Sequence, residues 1–90
     1  MDKLLENWRK QIDKLDEELV NILAKRINIV REIGKYKKAH GLAPLDQKRW
    51  QEILRVKLSK THSLNISEKF IEKLYNLIHE HSLEIENNSK

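Results

Sequence analysis

The fold of this chain is decided by residues 8–37, which read WRKQIDKLDEELVNILAKRINIVREIGKYK. Apolar side chains recur there mostly at every third or fourth position: Trp8, Ile12, Leu15, Leu19, Ile22, Leu23, Val30 and Ile33. This spacing predicts one long amphipathic helix. Arg26 stands on the same apolar stripe, and Lys37 continues it. Because a cation on a core-facing stripe is costly unless an anion meets it, the stripe predicts a small acidic ligand enclosed by helices.

The sequence on either side of this stretch predicts helices and no strand. We expect an all-α fold in one domain covering residues 1–90, with few turns, because only two Gly and one Pro occur. The three predicted helices run over about 2–39, 46–60 and 66–87, as judged from apolar spacing and terminal residues.

The helix ends are predicted from residues with known capping preferences. Gly41 is expected to close the first helix, because glycine adopts the left-handed conformation without strain. Asp46 is a suitable N-cap for the second helix. For the third helix two solutions remain open: Asn65 and Glu68 form a capping box, or Ser67 caps alone.

The length of the first helix predicts a dimer. Residues 2–39 would form a helix ~55 Å long, whereas a compact globule of this chain length is roughly 26 Å across. Such a helix cannot bury its stripe against its own short partners. We therefore expect a three-helix protomer in an intertwined homodimer.

Composition excludes several classes of protein. The chain has no Cys and carries a net charge of +4, with basic and acidic residues interleaved and aromatic residues at 6%. That pattern supports a small anionic ligand at least as well as nucleic acid, because the aromatic residues are too few to form a stacking platform. No apolar run reaches the ~18 residues of a membrane span, and no signal-peptide core is present, so we expect a cytoplasmic protein without a membrane contact.

The sequence also lacks the patterns of a metal or cofactor site. The four histidines are not spaced as a ligand pair on one helix face, and no Gly-rich phosphate loop occurs. We therefore expect no metal and no cofactor, and we assign the histidines to surface or packing positions: His40, His62, His79 and His81.

Arg26 and Lys37 are the first candidate site residues. Eleven positions apart, they return to nearly the same helix face, ~16 Å apart along the axis. The ordinary alternatives are an interhelical salt bridge from Arg26 to Glu17, Glu18 or a partner-chain acid, and a solvated helix end for Lys37. Arg9 lies ~25 Å from Arg26, so the two cannot serve one small ligand within one chain. Read alone, Arg9 is an exposed charge, but in an antiparallel dimer it approaches Arg26 of the other chain.

The other candidates lie on the second and third helices. Ser82 continues the apolar stripe of helix three, and Glu86 lies one turn beyond it. Asp46 and Arg49 share a face at the start of helix two. The alternatives are a serine hydroxyl bonded to its own backbone, a solvated glutamate, and a plain helix cap.

Taken together, these residues resemble the all-helical chorismate mutase family over essentially the whole chain. The resemblance rests on the order and gap-free spacing of six elements: R-x-x-I-D-x-L-D at 9–16, L-x-x-R at 23–26, I-G-x-x-K at 33–37, the Pro44 loop, D-x-x-R at 46–49, and S-x-x-x-E/Q at 82–86. It implies an intertwined dimer and the rearrangement of chorismate to prephenate, an intramolecular reaction of the aromatic amino acid pathway that needs no cofactor.

The resemblance also implies a role for each candidate. Arg26, together with Arg9 of the partner subunit, would bind the two substrate carboxylates, as guanidinium groups do. Lys37 would donate to the ether oxygen as its charge grows. Asp46 would contact the ring hydroxyl, and the carboxylates would receive added positive field from Arg49 and a hydrogen bond from Ser82. With Arg26 and Lys37, Glu86 completes the predicted catalytic set.

Two positions depart from the commonest family pattern. Glu86 stands where Gln is frequent, and a carboxyl group donates a hydrogen bond only when it is protonated. We therefore predict that activity falls as rising pH ionises Glu86, and that Glu86→Gln flattens the profile. Trp50 stands where Glu often binds the ring hydroxyl, which leaves that contact to Asp46 alone or indicates a different substrate.

Other functions are suggested by Trp50, which departs from the family pattern, and by the composition. Enzymes with the same fold eliminate pyruvate from isochorismate or rearrange an amino analogue of chorismate. Outside enzymes, the alternatives are a helical dimerisation module and a small basic nucleic-acid binder, although a plain coiled coil would not need Arg26 on its stripe. Docking to another enzyme of the shikimate pathway is a further alternative that the sequence leaves open.

Overall fold

The computed structural model describes residues 2–88, and residues 1, 89 and 90 of the predicted domain lie outside them. Three helices make up this part of the chain, with no strand in residues 2–88: α1 (Lys3–Ala39), α2 (Gln47–Lys60) and α3 (Glu68–Asn87). The predicted all-α class is confirmed. The predicted boundaries agree to within two residues, with α2 and α3 beginning at 47 and 68 instead of 46 and 66.

The end of α1 is a Schellman motif built on Gly41. Gly41 has φ +66°, and its N–H donates to the carbonyl of Lys38. The N–H of Leu42 donates to the carbonyl of Lys37 at 2.7 Å. These two bonds satisfy carbonyls that the helix end would leave unpaired, and they turn the chain back toward the site.

The starts of α2 and α3 are capped by side chains. Asp46 Oδ1 accepts the backbone N–H of Arg49 at 3.0 Å, as predicted. Ser67 Oγ accepts the N–H of Phe70 at 3.2 Å. Ser67 therefore caps α3, and the alternative capping box of Asn65 and Glu68 is wrong. Asn65 instead takes a left-handed conformation, φ 54°, which asparagine tolerates in a turn.

Packing is concentrated at one end of α1. Helix α3 packs against both α1 and α2, whereas α1 and α2 do not pack against each other. The molecule measures 60 × 28 × 14 Å, far from a sphere. Val30, 8% exposed, is the buried hydrophobic residue of the described part, so the core of one protomer is small. The space left between α1 and α2, beside α3, is where the site lies.

The N-terminal half of α1 extends beyond its partners with its apolar stripe uncovered. Trp8 and Ile12 are each 54% exposed, and Leu15 is 57% exposed. Nothing in the described protomer packs on them. Helix α1 is thus too long for its own protomer to cover its stripe, as its length predicts, and the dimer itself stays a prediction.

No helix among residues 2–88 is long and apolar enough to cross a membrane.

Candidate active site

A cavity of about 340 Å³ lies between α1, the loop before α2, α2 and α3. Its volume is in the range of small-molecule sites. Six of the seven predicted site residues line it: Arg26, Lys37, Asp46, Arg49, Ser82 and Glu86. Apolar side chains close the remaining wall, among them Ile33, Ile53 and Leu83. The cavity therefore combines cations with an apolar enclosure, which suits a small organic anion.

Arg26 joins α1 to α3 through Ser82. Its Nη1 donates to Ser82 Oγ at 3.0 Å in a partly buried setting. No carboxylate within residues 2–88 pairs with Arg26, so the alternative of an ion pair to Glu17 or Glu18 of its own chain is wrong. The Ser82 hydroxyl accepts from Arg26 and does not donate to its own helix backbone. The guanidinium keeps further N–H donors for an anion in the cavity.

Lys37 and Glu86 form the second link between α1 and α3. Lys37 Nζ lies 2.7 Å from Glu86 Oε1, with the two side chains 20% and 10% exposed. The same Nζ donates to the carbonyl of Pro44 at 2.7 Å. The alternatives of a solvated helix end and a solvated glutamate are therefore both wrong.

The Glu86 carboxylate is held mainly by charge. Its Oε1 is shut off from solvent and receives no well-directed hydrogen bond from the described residues, although the Lys37 ammonium is in contact with it. Lys37 has three N–H donors. One N–H points to the Pro44 carbonyl and a second lies on the side of Glu86, which leaves the third N–H for a ligand atom.

Asp46 and Arg49 stand at the exposed rim of the cavity. Asp46 uses one carboxylate oxygen on the helix cap, so the plain-cap alternative holds for that oxygen. Arg49 Nη1 lies 3.7 Å from Glu52 Oε1, with both side chains more than half exposed. An exposed pair at this distance contributes little stability, so Arg49 is readily available to a ligand.

Trp50 and His79 form the aromatic wall of the cavity. Their rings stack with centroids 3.9 Å apart and planes 11° from parallel, so α2 and α3 meet through this contact. Partial burial lowers the pKa of His79 from its ordinary 6.5, with Glu86 opposing the change and Arg26 adding to it. The imidazole is therefore neutral at neutral pH.

His79 is the cavity residue that sequence reasoning missed. It was assigned to the surface or to packing, and it does pack on Trp50, but it also lines the cavity. The available signal was its position three residues before Ser82 and seven before Glu86, which places all three on one face of a helix. Trp50 stands out in the sequence as a departure from the family pattern, but the sequence does not show that its ring stacks on His79.

Arg9 is the predicted site residue that the protomer does not bring to the cavity. It is exposed on the N-terminal half of α1 and does not line the cavity. Because α1 is unbroken from Lys3 to Ala39, the separation of ~25 Å from Arg26 expected for a straight helix applies. Among residues 2–88 there is also no group of three or more His, Asp or Glu side chains placed to hold a metal ion.

Comparison with known proteins gives a family match over most of the chain. A family model described as chorismate mutase type II matches residues 8–87. The chain is 35% identical over 68 residues to the T-protein of Haemophilus influenzae, covering 76% of this chain and 18% of that protein. It is 30% identical over 79 residues to the T-protein of Enterobacter agglomerans, covering 88% and 21%. The chain thus spans about a fifth of the length of these relatives. No solved structure matches it significantly.

Proposed function

The chain belongs to the type II chorismate mutase family, and from that premise we propose that it rearranges chorismate to prephenate. The observation that carries the proposal is the cavity in which Arg26 and Lys37 of α1 meet Ser82 and Glu86 of α3. Two cations are directed into a small enclosed space, each already oriented by a partner on the facing helix. That arrangement suits a small dianion.

The reaction demands little chemistry from the protein. One ether C–O bond breaks and one C–C bond forms within a single molecule, with no covalent intermediate. The enzyme has to hold the substrate in its folded reactive conformer and stabilise the negative charge that grows on the ether oxygen. Both tasks are electrostatic, and both suit oriented cations in a cavity of limited solvent access.

Arg26 is the proposed carboxylate clamp. Its guanidinium fork matches a carboxylate geometrically, and its bond to Ser82 fixes the side chain before substrate arrives. Ser82 keeps its hydroxyl hydrogen for the same carboxylate. Arg49 at the rim adds positive charge where an anion enters, and Asp46 beside it is proposed to contact the substrate's ring hydroxyl.

Lys37 is the proposed donor to the ether oxygen. Its contacts with Pro44 and Glu86 hold the ammonium in one place and leave a third N–H free. A preoriented cation needs no reorganisation when charge develops on the substrate. Glu86 positions Lys37, but its ionised form also places a negative charge close to the reacting oxygen. The site is therefore predicted to work better when that negative charge is removed.

We further propose that two copies of the chain pair along the N-terminal half of α1, and that Arg9 completes the site of the partner. The uncovered apolar stripe of that half supports pairing, because exposed apolar surface of this extent marks an interface. In an antiparallel pair, Arg9 of one chain is brought toward Arg26 of the other, and symmetry then gives two equivalent sites.

Mixing two inactive variants tests the shared site. Arg9→Ala and Arg26→Ala are each expected to be nearly inactive alone. When the two are unfolded and refolded together, each mixed dimer regains one intact site, which gives about a quarter of wild-type activity in a random mixture. No recovery in mixed dimers isolated through two different affinity tags, one on each variant, would refute the contribution of Arg9 across the interface.

The activity itself is tested with purified protein and chorismate, with isochorismate in parallel and products identified by chromatography. We expect prephenate from chorismate, and loss of turnover by at least about a hundredfold in Arg26→Ala, because a buried charged contact to the substrate is removed. Lys25→Ala is the matched control, since Lys25 is an exposed neighbour on the same helix. Absence of prephenate overturns the proposal, and salicylate with pyruvate from isochorismate would replace it with a lyase.

A further inference from the structure

The polar groups that line the cavity divide into those already engaged within the protein and those that are not. Arg26 bonds Ser82, Lys37 contacts Pro44 and Glu86, and Asp46 accepts a backbone N–H. The imidazole of His79 and the indole N–H of Trp50 make no hydrogen bond within residues 2–88. Among the described residues, they are the uncharged polar side chains of the lining that have no hydrogen-bond partner in the protein.

The two free groups differ in what they offer. An indole N–H is a donor only, whereas a neutral imidazole carries one donor and one acceptor nitrogen. The pKa of His79 is lowered, chiefly by burial, so the neutral form prevails at neutral pH. The charged groups that face it are Arg26 from α1 and Glu86 from its own helix, and Trp50 of α2 covers one ring face.

The stack on Trp50 fixes the imidazole in orientation. With ring centroids 3.9 Å apart and planes 11° from parallel, rotation of the imidazole out of the stack would lose the contact. An immobilised ring binds a ligand group with a smaller loss of conformational freedom than a mobile side chain would. Trp50 is therefore a positioning residue in this arrangement, and His79 is the group placed to touch the ligand.

We propose that His79 is a substrate-contacting specificity residue, whose imidazole donates an N–H to the oxygen of the ring hydroxyl of the bound substrate. The inference rests on the proposed function, which supplies a ligand with two carboxylates and one hydroxyl. The cations bind the two carboxylates, so the hydroxyl lies against the wall formed by Trp50 and His79. There, His79 supplies an N–H donor that is not already engaged, and the hydroxyl hydrogen is left for the Asp46 carboxylate oxygen that the α2 cap does not use.

The test is His79→Phe, which keeps a flat ring for Trp50 and removes both nitrogens. His62→Phe is the matched control, because His62 is exposed in the turn after α2 and does not line the cavity. Each protein is assayed with chorismate and with an analogue that carries hydrogen in place of the ring hydroxyl. A contact made equally in the ground and transition states changes KM and leaves kcat unchanged.

For His79→Phe we expect KM for chorismate to rise about three- to tenfold, the value of one neutral hydrogen bond. We expect kcat to stay within about twofold, and KM for the deoxy analogue to equal that of the wild type. An unchanged KM for chorismate overturns the inference. An equal rise with both substrates also overturns it, because a purely structural role would not distinguish them.

Failure of the proposed function is separable from failure of this inference. Wild-type protein that makes no prephenate removes the proposed function, whatever His79 does. The side-chain NMR resonances of His79 and His62 are then followed while chorismate is added. A shift confined to His79 supports the contact, and unchanged His79 resonances at saturating ligand overturn it.

Discussion

The contact between Lys37 and Glu86 leads to the sharpest prediction about this protein, which concerns Glu86→Gln. In the proposed reaction, Lys37 Nζ donates to the ether oxygen while Glu86 Oε1 stays 2.7 Å from the same nitrogen. With ordinary hydrogen-bond lengths around a tetrahedral nitrogen, the two oxygens are ~4.5 Å apart. An ionised Glu86 therefore repels the charge that develops on the substrate.

The size of this repulsion follows from Coulomb's law. Half a unit of developing charge at ~4.5 Å from a full carboxylate charge costs ~1.8 kcal/mol at an effective dielectric constant near 20. That dielectric suits a pair that is 20% and 10% exposed. The cost corresponds to about twentyfold in rate. The amide of Gln carries no charge and donates a hydrogen bond at any ordinary pH.

The assay is kcat for prephenate formation as a function of pH, for the wild type and Glu86→Gln. We expect the wild-type kcat to fall as Glu86 ionises, and the variant to be flat and about twentyfold faster at the alkaline end. Once Glu86 is protonated and donates as the amide does, the two should converge. Glu84→Gln is the control, because Glu84 is exposed on the same helix and pairs with His81 at 3.7 Å.

Two results would refute this reasoning. A wild-type profile that stays flat from acid to alkaline pH would show that the charge of Glu86 does not reach the reacting atoms. A variant no faster than wild type under alkaline conditions would show the same. Thermal unfolding is measured alongside. The amide oxygen keeps the contact with Lys37 but loses the charge attraction, so we expect a loss of about 1–3 kcal/mol.

Three further predictions concern other parts of the molecule. Ser82→Ala removes the partner of Arg26 and should raise KM for chorismate by about three- to tenfold. The control is Ser59→Ala, because Ser59 is exposed and bonds its own helix backbone, and it should leave that KM unchanged. Gly41→Ala should lower the unfolding free energy by about 1–2 kcal/mol, measured at fixed protein concentration. The φ angle of Gly41 is +66°, and no atom lies within 4 Å of an added Cβ, so the substitution introduces backbone strain and no steric clash. Because the pKa of His79 is lowered in the fold, chiefly by burial, the unfolded chain binds more protons below pH 6.5. The associated stability is present above that pH and is lost as pH falls through the folded-state pKa. Denaturant unfolding at several pH values should show this loss in the wild type and a weaker one in His79→Phe, and equal slopes in the two proteins would contradict it.

Local features of this chain were predictable from its sequence because they depend on near neighbours. The three helices follow from apolar periodicity, and their ends follow from residues that cap well, such as Gly41 and Asp46. The position of Arg26 and Lys37 on one stripe is likewise fixed by helical geometry. Asn65 and Ser67 were both suitable as the N-cap of α3, so the sequence left that choice open. The path of the chain into α3 decided it.

The pairings across the cavity were decided by tertiary structure alone. Helical periodicity specifies which face each side chain occupies, but not which helix that face meets. Because α3 packs against both α1 and α2, Ser82 meets Arg26, Glu86 meets Lys37, and His79 meets Trp50. The sequence determined that cations stand on an apolar stripe. The crossing of the helices determined that a serine and a glutamate hold those cations at a cavity, and that a histidine forms its wall.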